Sequence, residues 1–259
     1  MVEETIEGGI RPGALSEALP ASPEALAHSL NARFAGSGTR AMLAALLAES
    51  RDRRIAVVSS FGANSVVLLH LVASIDPSLP VLFVDTGKLF AETMRYRDRI
   101  AERLGLTDIR VIGPEPDALA SRDPHGALWI SDTQACCAVR KVEPFANALS
   151  QFDIWISGRK RYQGGARGNL PLFEADNAPT GSRLKVNPLA QWTRGDIDIY
   201  RTAFSLPQHE LVARGYASIG CAPCTSPVKE GEDERAGRWR GSEKTECGIH
   251  VADNMGGLP

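Results

Sequence analysis

The stretch IAVVSSFGANS, residues 55–65, decides the fold. Its first four residues form an apolar run of strand length, and the loop that follows leads into a second apolar run, residues 66–71, which we predict to be helical. Such a strand–loop–helix unit can present backbone N–H groups and serine hydroxyls at a helix N-terminus, where anions are stabilised. The loop matches neither GxxxxGK[ST] nor GxGxxG. Taken alone, it is equally well explained as a serine-rich turn that caps a helix.

Outward from this unit, strand-like and helix-like segments alternate. The predicted helices are 23–34 with Ser22 as N-cap, 39–49, 90–104 and 192–204. The predicted strands are 55–58, 81–84, 109–112 and 154–157, with an edge strand at 184–186. This alternation predicts an α/β fold, a parallel twisted sheet with helices on both faces.

The chain divides into three predicted segments. Residues 1–50 form an N-terminal helical leader, and residues 51–240 form the α/β domain. Residues 241–259 form a mobile C-terminal tail. From residue 215 onwards the sequence is irregular, charged and cysteine-bearing, so we expect a lid or tail over the sheet and no second core.

The composition is that of an ordinary globular protein. Of 259 residues, 43% are hydrophobic and 23% charged, with a net charge of -2 that gives no reason to expect nucleic acid or an anionic membrane as partner. No apolar run approaches the roughly 20 residues of a membrane span. The N-terminus lacks the basic and apolar regions of a secretory signal, so we expect a cytoplasmic protein. Because disulfides are rare there, its cysteines are expected to be ligands or catalysts.

A polar triplet, Asp85, Thr86 and Gly87, follows the second predicted strand. Ligands of open parallel sheets bind along the edge where the strands have their carboxyl ends. Two polar strand ends at that edge, this one and the serine-rich loop, favour a nucleotide pocket. Asp85 could equally serve as a helix N-cap.

Four of the five cysteines come in two pairs. Cys136 and Cys137 are adjacent, whereas Cys221 and Cys224 form a CxxC motif. Four thiolates suit either a tetrahedral zinc ion or a cubane iron–sulfur cluster. Adjacent cysteines are awkward for structural zinc, and a redox disulfide in CxxC is a further alternative. Spacing alone leaves these three open.

The fifth cysteine, Cys247, lies close to the C-terminus among polar residues. Buried free cysteines usually have apolar neighbours, so Cys247 is expected to be exposed and mobile. Lys244 and His250 could favour its reactive thiolate, and Gly248 lets the segment move. An exposed tail cysteine without function is the alternative that spacing does not exclude.

Together these features resemble the sulfonucleotide reductases, specifically the cluster-containing adenylyl-sulfate (APS) reductases of assimilatory sulfur metabolism and cysteine biosynthesis. The resemblance runs from about residue 55 to residue 250 and leaves the first ~50 residues outside it. The motifs that carry it are SFGA (60–63), DTG (85–87), CC with RK (136–137, 140–141), VNPL and WT (186–189, 192–193), GYASIGCAPCT (215–225), EDERAGRW (232–239) and ECGIH (246–250).

This resemblance implies an adenine-nucleotide α-hydrolase-like fold. It also implies a [4Fe–4S] cluster on Cys136, Cys137, Cys221 and Cys224, with Cys247 as nucleophile. Family members without the four cluster cysteines usually reduce the 3′-phosphorylated substrate, PAPS, so their presence here favours APS. PAPS reduction, or activity on both substrates, is the alternative.

The sequence departs from the family pattern at two positions. Asn64 stands where an acidic residue often follows SFGA, which should matter little if backbone donors hold the anion. Lys160 stands where the basic loop, residues 158–163, often has arginine. Lysine lacks the bidentate fork of arginine. The sequence therefore does not decide which side chain of this loop meets the phosphosulfate.

The expected chemistry is attack of the Cys247 thiolate on the sulfur of APS, with AMP as leaving group and an S-sulfocysteine as intermediate. Fixed cations should stabilise the charge that develops on AMP. Lys141, four residues after Cys137 on a predicted helix, falls on the same face and could bridge cluster and substrate. The candidate substrate-binding residues are Ser60, Phe61, Gly62, Ala63, Asp85, Thr86, Gly87, Lys141, Arg161, Arg167, Arg235 and Arg238.

No cysteine is left over to resolve the intermediate if four are cluster ligands. We therefore expect an external dithiol, thioredoxin or a glutaredoxin-like protein, to release sulfite. A homo-oligomer is compatible with the sequence. One rival function is a tRNA thiolase or ATP pyrophosphatase, which would use an SGG-type loop. Another is a nucleotide-binding iron–sulfur redox sensor, which would not need a mobile Cys247.

Overall fold

The computed structural model of the chain describes residues 22–178, 181–242, 244 and 246–250. Part of the predicted leader, residues 1–21, and part of the predicted tail, residues 251–259, lie outside the described residues. The three-segment division therefore stays a prediction. Within the described part of the chain, no helix is long and apolar enough to cross a membrane.

The helices begin and end close to the predicted positions. Ser22 caps the first helix, because its hydroxyl accepts a hydrogen bond from the Ala25 N–H at 3.3 Å. The α-helices of the described residues are α1 (Pro23–Arg33), α2 (Thr39–Glu49), α3 (Ser65–Ala73), α4 (Ala91–Leu104), α5 (Pro116–Arg122), α6 (Leu128–Ser131), α7 (Thr133–Cys137), α8 (Glu143–Leu149) and α9 (Arg194–Ala203). A π-helical turn, Ala138–Val142, joins α7 to α8. Short 3₁₀ turns follow at Arg161–Gln163, Gly165–Arg167, Glu210–Arg214, Ala222–Cys224 and Gly248–His250.

A six-stranded sheet lies at the centre, in the order β3-β2-β1-β4-β6-β5. Its strands are β1 (Ile55–Val58), β2 (Val81–Val84), β3 (Ile109–Ile112), β4 (Ile154–Ser157), β5 (Phe173–Ala178) and β6 (Gly181–Val186). Neighbouring strands run parallel except β5, which runs antiparallel to β6. The prediction of a parallel α/β sheet is confirmed.

The edge of the sheet differs from the prediction. The segment 184–186, predicted to be an edge strand, belongs to β6, which lies between β4 and β5. The edge strand on this side of the sheet is β5, whose sequence, FEADNA, does not indicate a strand because its polar residues conceal it. One of them, Asp176, is buried because its carboxylate accepts a hydrogen bond from Trp155 Nε1 at 2.8 Å.

Strand residues alternate between two apolar cores, one on each face of the sheet. Val57, Phe83 and Ile156 face the larger core, which also takes up residues of α1, α2, α3 and α4. Trp155 faces the smaller core, where it packs against Phe145 of α8 with ring centroids 5.6 Å apart. Burying an apolar side chain of this size contributes about 1.5–3 kcal/mol. These two cores fix the carboxyl edge of the sheet, from which the site is built.

Residues 215–250 return to that edge as an irregular segment. Two isolated antiparallel bridges hold it, one between Leu89 and Cys221 and one between Thr225 and Arg238. The second bridge requires glycine at position 237, because a Cβ there would lie 2.1 Å from the Ser226 carbonyl oxygen. The close approach of the Ser226 backbone therefore explains why glycine stands at position 237, the first residue of GRW (237–239) in the EDERAGRW motif.

Candidate active site

A cavity of about 200 Å³ opens at the carboxyl edge of the sheet. Three strand ends and the C-terminal segment contribute to its wall, because parallel strands present their carboxyl ends on one side. Ser60 and Gly62 follow β1, Thr86 follows β2, Lys160 follows β4, and Cys247 comes from the segment after residue 240. The structure thus brings the predicted nucleophile to the predicted anion loop.

The loop after β1 is held in shape by its own hydroxyl groups. The Ser59 hydroxyl accepts a hydrogen bond from the Phe61 N–H at 3.1 Å, and the Ser65 hydroxyl donates to the Gly62 carbonyl at 2.8 Å. Phe61 has a φ of 46° and packs edge-on against Phe83, fully buried. The side chain anchors the loop and does not line the cavity, and the substrate contact of Phe61 stays a prediction.

Only one residue of the DTG triplet faces the cavity, and that residue is Thr86. The Asp85 carboxylate accepts the Gly87 N–H at 2.9 Å, which forms a tight turn in which Gly87 has a φ of 68°. Asp85 and Gly87 therefore shape the turn, and their substrate contacts stay predictions. The Thr86 hydroxyl lies 3.2 Å from Cys221 Sγ, so Thr86 borders the cysteines as well.

The basic loop after β4 turns different residues inward from those predicted. Arg161 is exposed, does not line the cavity and donates from Nε to the Leu170 carbonyl at 2.7 Å, so its substrate contact stays a prediction. Arg167 lines the cavity as predicted. Lys160 also lines it and donates to the Gly158 carbonyl at 2.8 Å. Burial, helped by the charge of Arg167, lowers the pKa of Lys160 to about 8.

Arg159 of the same loop also lines the cavity, although no sequence argument singled it out. Its Nε donates to Asn187 Oδ1 at 3.3 Å, and its terminal nitrogen contacts the Glu174 carboxylate. Asn187 is fully buried and donates in turn to the Pro171 carbonyl at 3.1 Å. The VNPL motif therefore supplies Asn187, which orients Arg159. This connection to a family motif is the signal in the sequence that points to Arg159.

Two of the predicted arginines share one carboxylate, that of Glu246. Arg167 donates to both of its oxygens at 2.5 and 2.7 Å, and Arg235 donates to one of them at 3.2 Å. Burial raises the pKa of Glu246, but Arg167 and Arg235 outweigh burial and hold the pKa at about 2. Glu246 is therefore ionised at every working pH.

Arg238 completes the group of cations that lines the cavity. Its guanidinium stands 4.4 Å from the ring centroid of Trp239, and no carboxylate of the described residues pairs with it. Gly220 makes room for it, because a Cβ there would lie 2.3 Å from a terminal guanidinium nitrogen. Arg238 thus leaves positive charge available to a bound anion.

Cys247 is half-buried in the cavity wall and not exposed as predicted. Its N–H donates to Glu246 Oε1 at 2.7 Å, and its carbonyl accepts from the His250 N–H at 3.0 Å. Burial raises the pKa of the thiol, but Lys141, the Ile249 N–H and Arg238 together bring it below its ordinary value. The position therefore favours the nucleophilic thiolate.

The cations beside the thiol are not those predicted. The Lys244 ammonium group is directed toward Gln134, because its Nζ donates to Gln134 Oε1 at 2.5 Å. His250 is stacked on Trp155 at 5.9 Å, and burial together with nearby Lys185 lowers its pKa well below the ordinary value. A neutral imidazole supplies no charge. Lys141 and Arg238 therefore take the role that the sequence assigned to Lys244 and His250.

We expect Lys141→Met to shift the reactivity of Cys247 to higher pH. The reactive form of a thiol is its deprotonated form, and Lys141 lowers the pKa of this thiol, so removing the lysine raises that pKa. The pH profile of Cys247 alkylation by iodoacetamide measures the midpoint. Lys229→Met, which removes an exposed lysine of the 215–250 segment that carries Cys247, should leave this midpoint unchanged. An unmoved midpoint in Lys141→Met would show that Lys141 does not set the thiol pKa.

The other four cysteines line a second, smaller cavity next to the first. Cys136 and Cys137 end α7, and Cys221 and Cys224 belong to the irregular segment. All are free thiols. Lys141 borders both cavities. Burial lowers the pKa of Lys141, but the negative charges of the Cys247, Cys221 and Cys137 thiolates outweigh burial and raise that pKa above its ordinary value.

The donor set of this second cavity is four thiols, the ligand type of both tetrahedral zinc sites and iron–sulfur clusters. Among the described residues, no group of three or more His, Cys, Asp or Glu side chains is placed to hold one metal ion. A mononuclear zinc site needs every sulfur about 2.3 Å from one point. A [4Fe–4S] cluster would use the same four thiolates, one on each iron atom. Burial and the neighbouring Cys137 raise the pKa of Cys136 to about 11, a cost that bound iron would offset.

A comparison of the sequence with known protein families bears on this geometry. Residues 54–227 match the phosphoadenosine phosphosulfate reductase domain. The chain belongs to that family. The family predicted from the motifs is thereby confirmed.

Similar proteins support the same assignment. A protein of Chelativorans sp. (strain BNC1) is 50% identical over 233 residues, which are 90% of this chain and 94% of that protein. One of Mesorhizobium japonicum is 56% identical over 198 residues, 76% of each chain. Both are named adenosine 5'-phosphosulfate reductase. The crystal structure of a PAPS reductase from Candida auris, in a phosphate complex, matches with a TM-score of 0.64 at 22% identity, over 78% of this chain and 96% of that one. At that identity the match shows the fold alone.

The family domain ends before the segment that carries much of the positive charge. Arg235, Arg238 and Cys247 all lie beyond residue 227. In this family member the matched domain therefore supplies the β1 loop, the β4 loop and the four paired cysteines. The remaining segment brings Cys247 to them.

Proposed function

We propose that this chain reduces adenylyl sulfate to sulfite and AMP in sulfate assimilation. The main support is the position of the Cys247 thiol. It lies with Lys141, Arg235 and Arg238 in the wall of the cavity beside the β1 loop, and its pKa is lowered. The names of the two relatives that are 50% and 56% identical support APS as substrate. The reaction divides into a step at Cys247 and a step carried by an external dithiol.

In the first step the Cys247 thiolate attacks the sulfur atom of APS. A sulfur–sulfur bond forms, and the bond from that sulfur to the phosphate oxygen breaks. AMP leaves with the electron pair, and the enzyme keeps an S-sulfocysteine. Lys141, Arg235 and Arg238 stabilise the charge that develops on the departing phosphate. The β1 loop, through Ser60 and Gly62, receives the nucleotide's anionic part.

In the second step an external dithiol attacks Cys247 Sγ. A mixed disulfide forms and sulfite leaves. The second thiol of the reductant then closes its own disulfide and returns Cys247 as a thiolate, so the dithiol supplies both electrons. Thioredoxin, or a glutaredoxin-like protein, has the required chemistry. Because Cys247 is half-buried, its segment must open before the reductant reaches it.

The same proposal includes a [4Fe–4S] cluster held by Cys136, Cys137, Cys221 and Cys224. When bound, the cluster supplies fixed charge beside Lys141, and neither step above draws electrons from it. A cytoplasmic location and a homo-oligomeric state stay predictions. A nucleotide-binding redox sensor is the less favoured function, since sensing does not require an activated thiol among cations.

The deciding experiment is an intact-mass measurement. Cluster-loaded protein is incubated with APS and no reductant, and the expected product carries one added SO₃ group. The adduct should be absent from Cys247→Ser, and peptide mapping should place it on Cys247. A parallel incubation with PAPS tests the alternative substrate. An adduct from PAPS alone would change the substrate, whereas no adduct from either would refute a reductase function.

A further inference from the structure

The carboxylate of Glu246 occupies an unusual position for an acidic residue. Its side chain is 11% exposed, and its partners Arg167 and Arg235 are 8% and 13% exposed. A planar carboxylate that receives two N–H groups from one guanidinium is bound in the way arginine binds phosphate or sulfate oxygens. Glu246 therefore presents to these arginines the same chemistry as an oxyanion ligand.

Both arginines also line the cavity in which the proposed substrate binds. Their donors toward Glu246 cannot point at the same time to a phosphosulfate oxygen in the same place. Substrate binding and the contact that keeps the Glu246 carboxylate on the arginines therefore need the same N–H donors of Arg167 and Arg235. Such shared use couples the two events thermodynamically.

Glu246 is also linked directly to the nucleophile. The oxygen that accepts from Arg235, Oε1, accepts the Cys247 N–H as well, at 3.2 and 2.7 Å respectively. Displacement of the carboxylate from the arginines therefore strains or breaks a hydrogen bond that holds the backbone of Cys247. Gly248 packs closely behind this segment, since a Cβ there would lie 2.8 Å from Val142 Cγ2.

We propose that Glu246 is a positioning residue that competes with the substrate's oxyanion for Arg167 and Arg235. Before substrate binds, its carboxylate holds Cys247 against the cavity. An arriving phosphosulfate takes the arginines from it, and the carboxylate regains them as AMP leaves. This inference rests on the proposed function, because it assumes that APS binds in this cavity.

The test is equilibrium binding of APS to cluster-loaded Cys247→Ser, which cannot complete the reaction. In this Cys247→Ser background, a second substitution, Glu246→Gln, keeps the shape of the Glu246 side chain and removes its charge. We expect APS to bind roughly five-fold more tightly or better, because its competitor has lost the charge that both arginines prefer. Damage to the fold would weaken binding, so tighter binding is a readout that a merely structural role does not produce.

Matched variants complete the design. Glu232→Gln, in the same Cys247→Ser background, removes an acid that pairs with Arg240 outside the cavity, and it should leave the dissociation constant unchanged. Glu246→Asp keeps the charge on a shorter arm and should bind APS with intermediate affinity. Equal or weaker binding in both Glu246 variants would overturn the competition. Failure of Cys247→Ser itself to bind APS would instead refute the proposed function, and the inference with it.

Discussion

Replacing Cys247 with serine is expected to lower sulfite release by more than about 10³-fold, as removal of a covalent nucleophile generally does. A serine hydroxyl stays protonated beside Lys141 and Arg238, whereas the thiol is held below its ordinary pKa by the same groups. The measurement is sulfite released from APS per unit time in the presence of a dithiol reductant.

Substrate binding separates this effect from misfolding. Cys247→Ser should still bind APS, because the cations and the β1 loop are unchanged. Ser242→Ala, which alters an exposed residue of the same segment, should keep its activity. Substantial sulfite release by Cys247→Ser would mean that another group carries the sulfonate.

Replacing Cys136 with serine is expected to remove nearly all bound iron. Cys136 is 8% exposed and lines one cavity with the three other candidate ligands, so no nearby solvent-facing thiol can take its place among the described residues. Metal binding also contributes to folding, so the variant should unfold at lower temperature. Iron and sulfide per chain, the visible absorbance and the melting temperature are measured on protein prepared without oxygen.

Cys247→Ser is the control for this prediction. It too removes a cysteine, but one that lines the other cavity, and it should keep its full iron content. Two results would contradict a cluster at this site. One is full iron in Cys136→Ser, and the other is a colourless wild-type protein that contains zinc.

The parallel strands β1, β2 and β4 could be predicted to the residue because burial on both faces demands continuous apolar runs. IAVV, VLFV and IWIS are such runs and became β1, β2 and β4. The edge strand β5 gives no such signal, since its acids are satisfied by partners distant in sequence. Asp176 accepts a hydrogen bond from Trp155, and Glu174 forms an ion pair with Arg159. Polar residues that pair inside a protein look, in sequence, like residues that face water.

The same reason explains which parts of the site were missed. Motifs identified the segments that meet at the sheet edge, and Thr86, Lys141 and Arg167 line the cavity accordingly. Motifs do not encode where a side chain of an irregular loop points, and the side chains of Arg161 and Phe61 do not line the cavity. Cys247 was expected to be exposed because its neighbours are charged. Its neighbour Glu246 is buried by an ion pair with Arg167, 79 positions away.

The bridge between Thr225 and Arg238 also limits how far the proposed nucleophile, Cys247, can reach. Trp239 is fixed by its N–H, which donates to the Cys224 carbonyl at 3.0 Å. Eight residues later comes Cys247, and a fully extended chain of that length spans at most roughly 26–29 Å. Cys247 can therefore act only within a sphere of that radius around Trp239. A reductant must bring its thiol inside this sphere, and that requirement limits where on this protein it can dock.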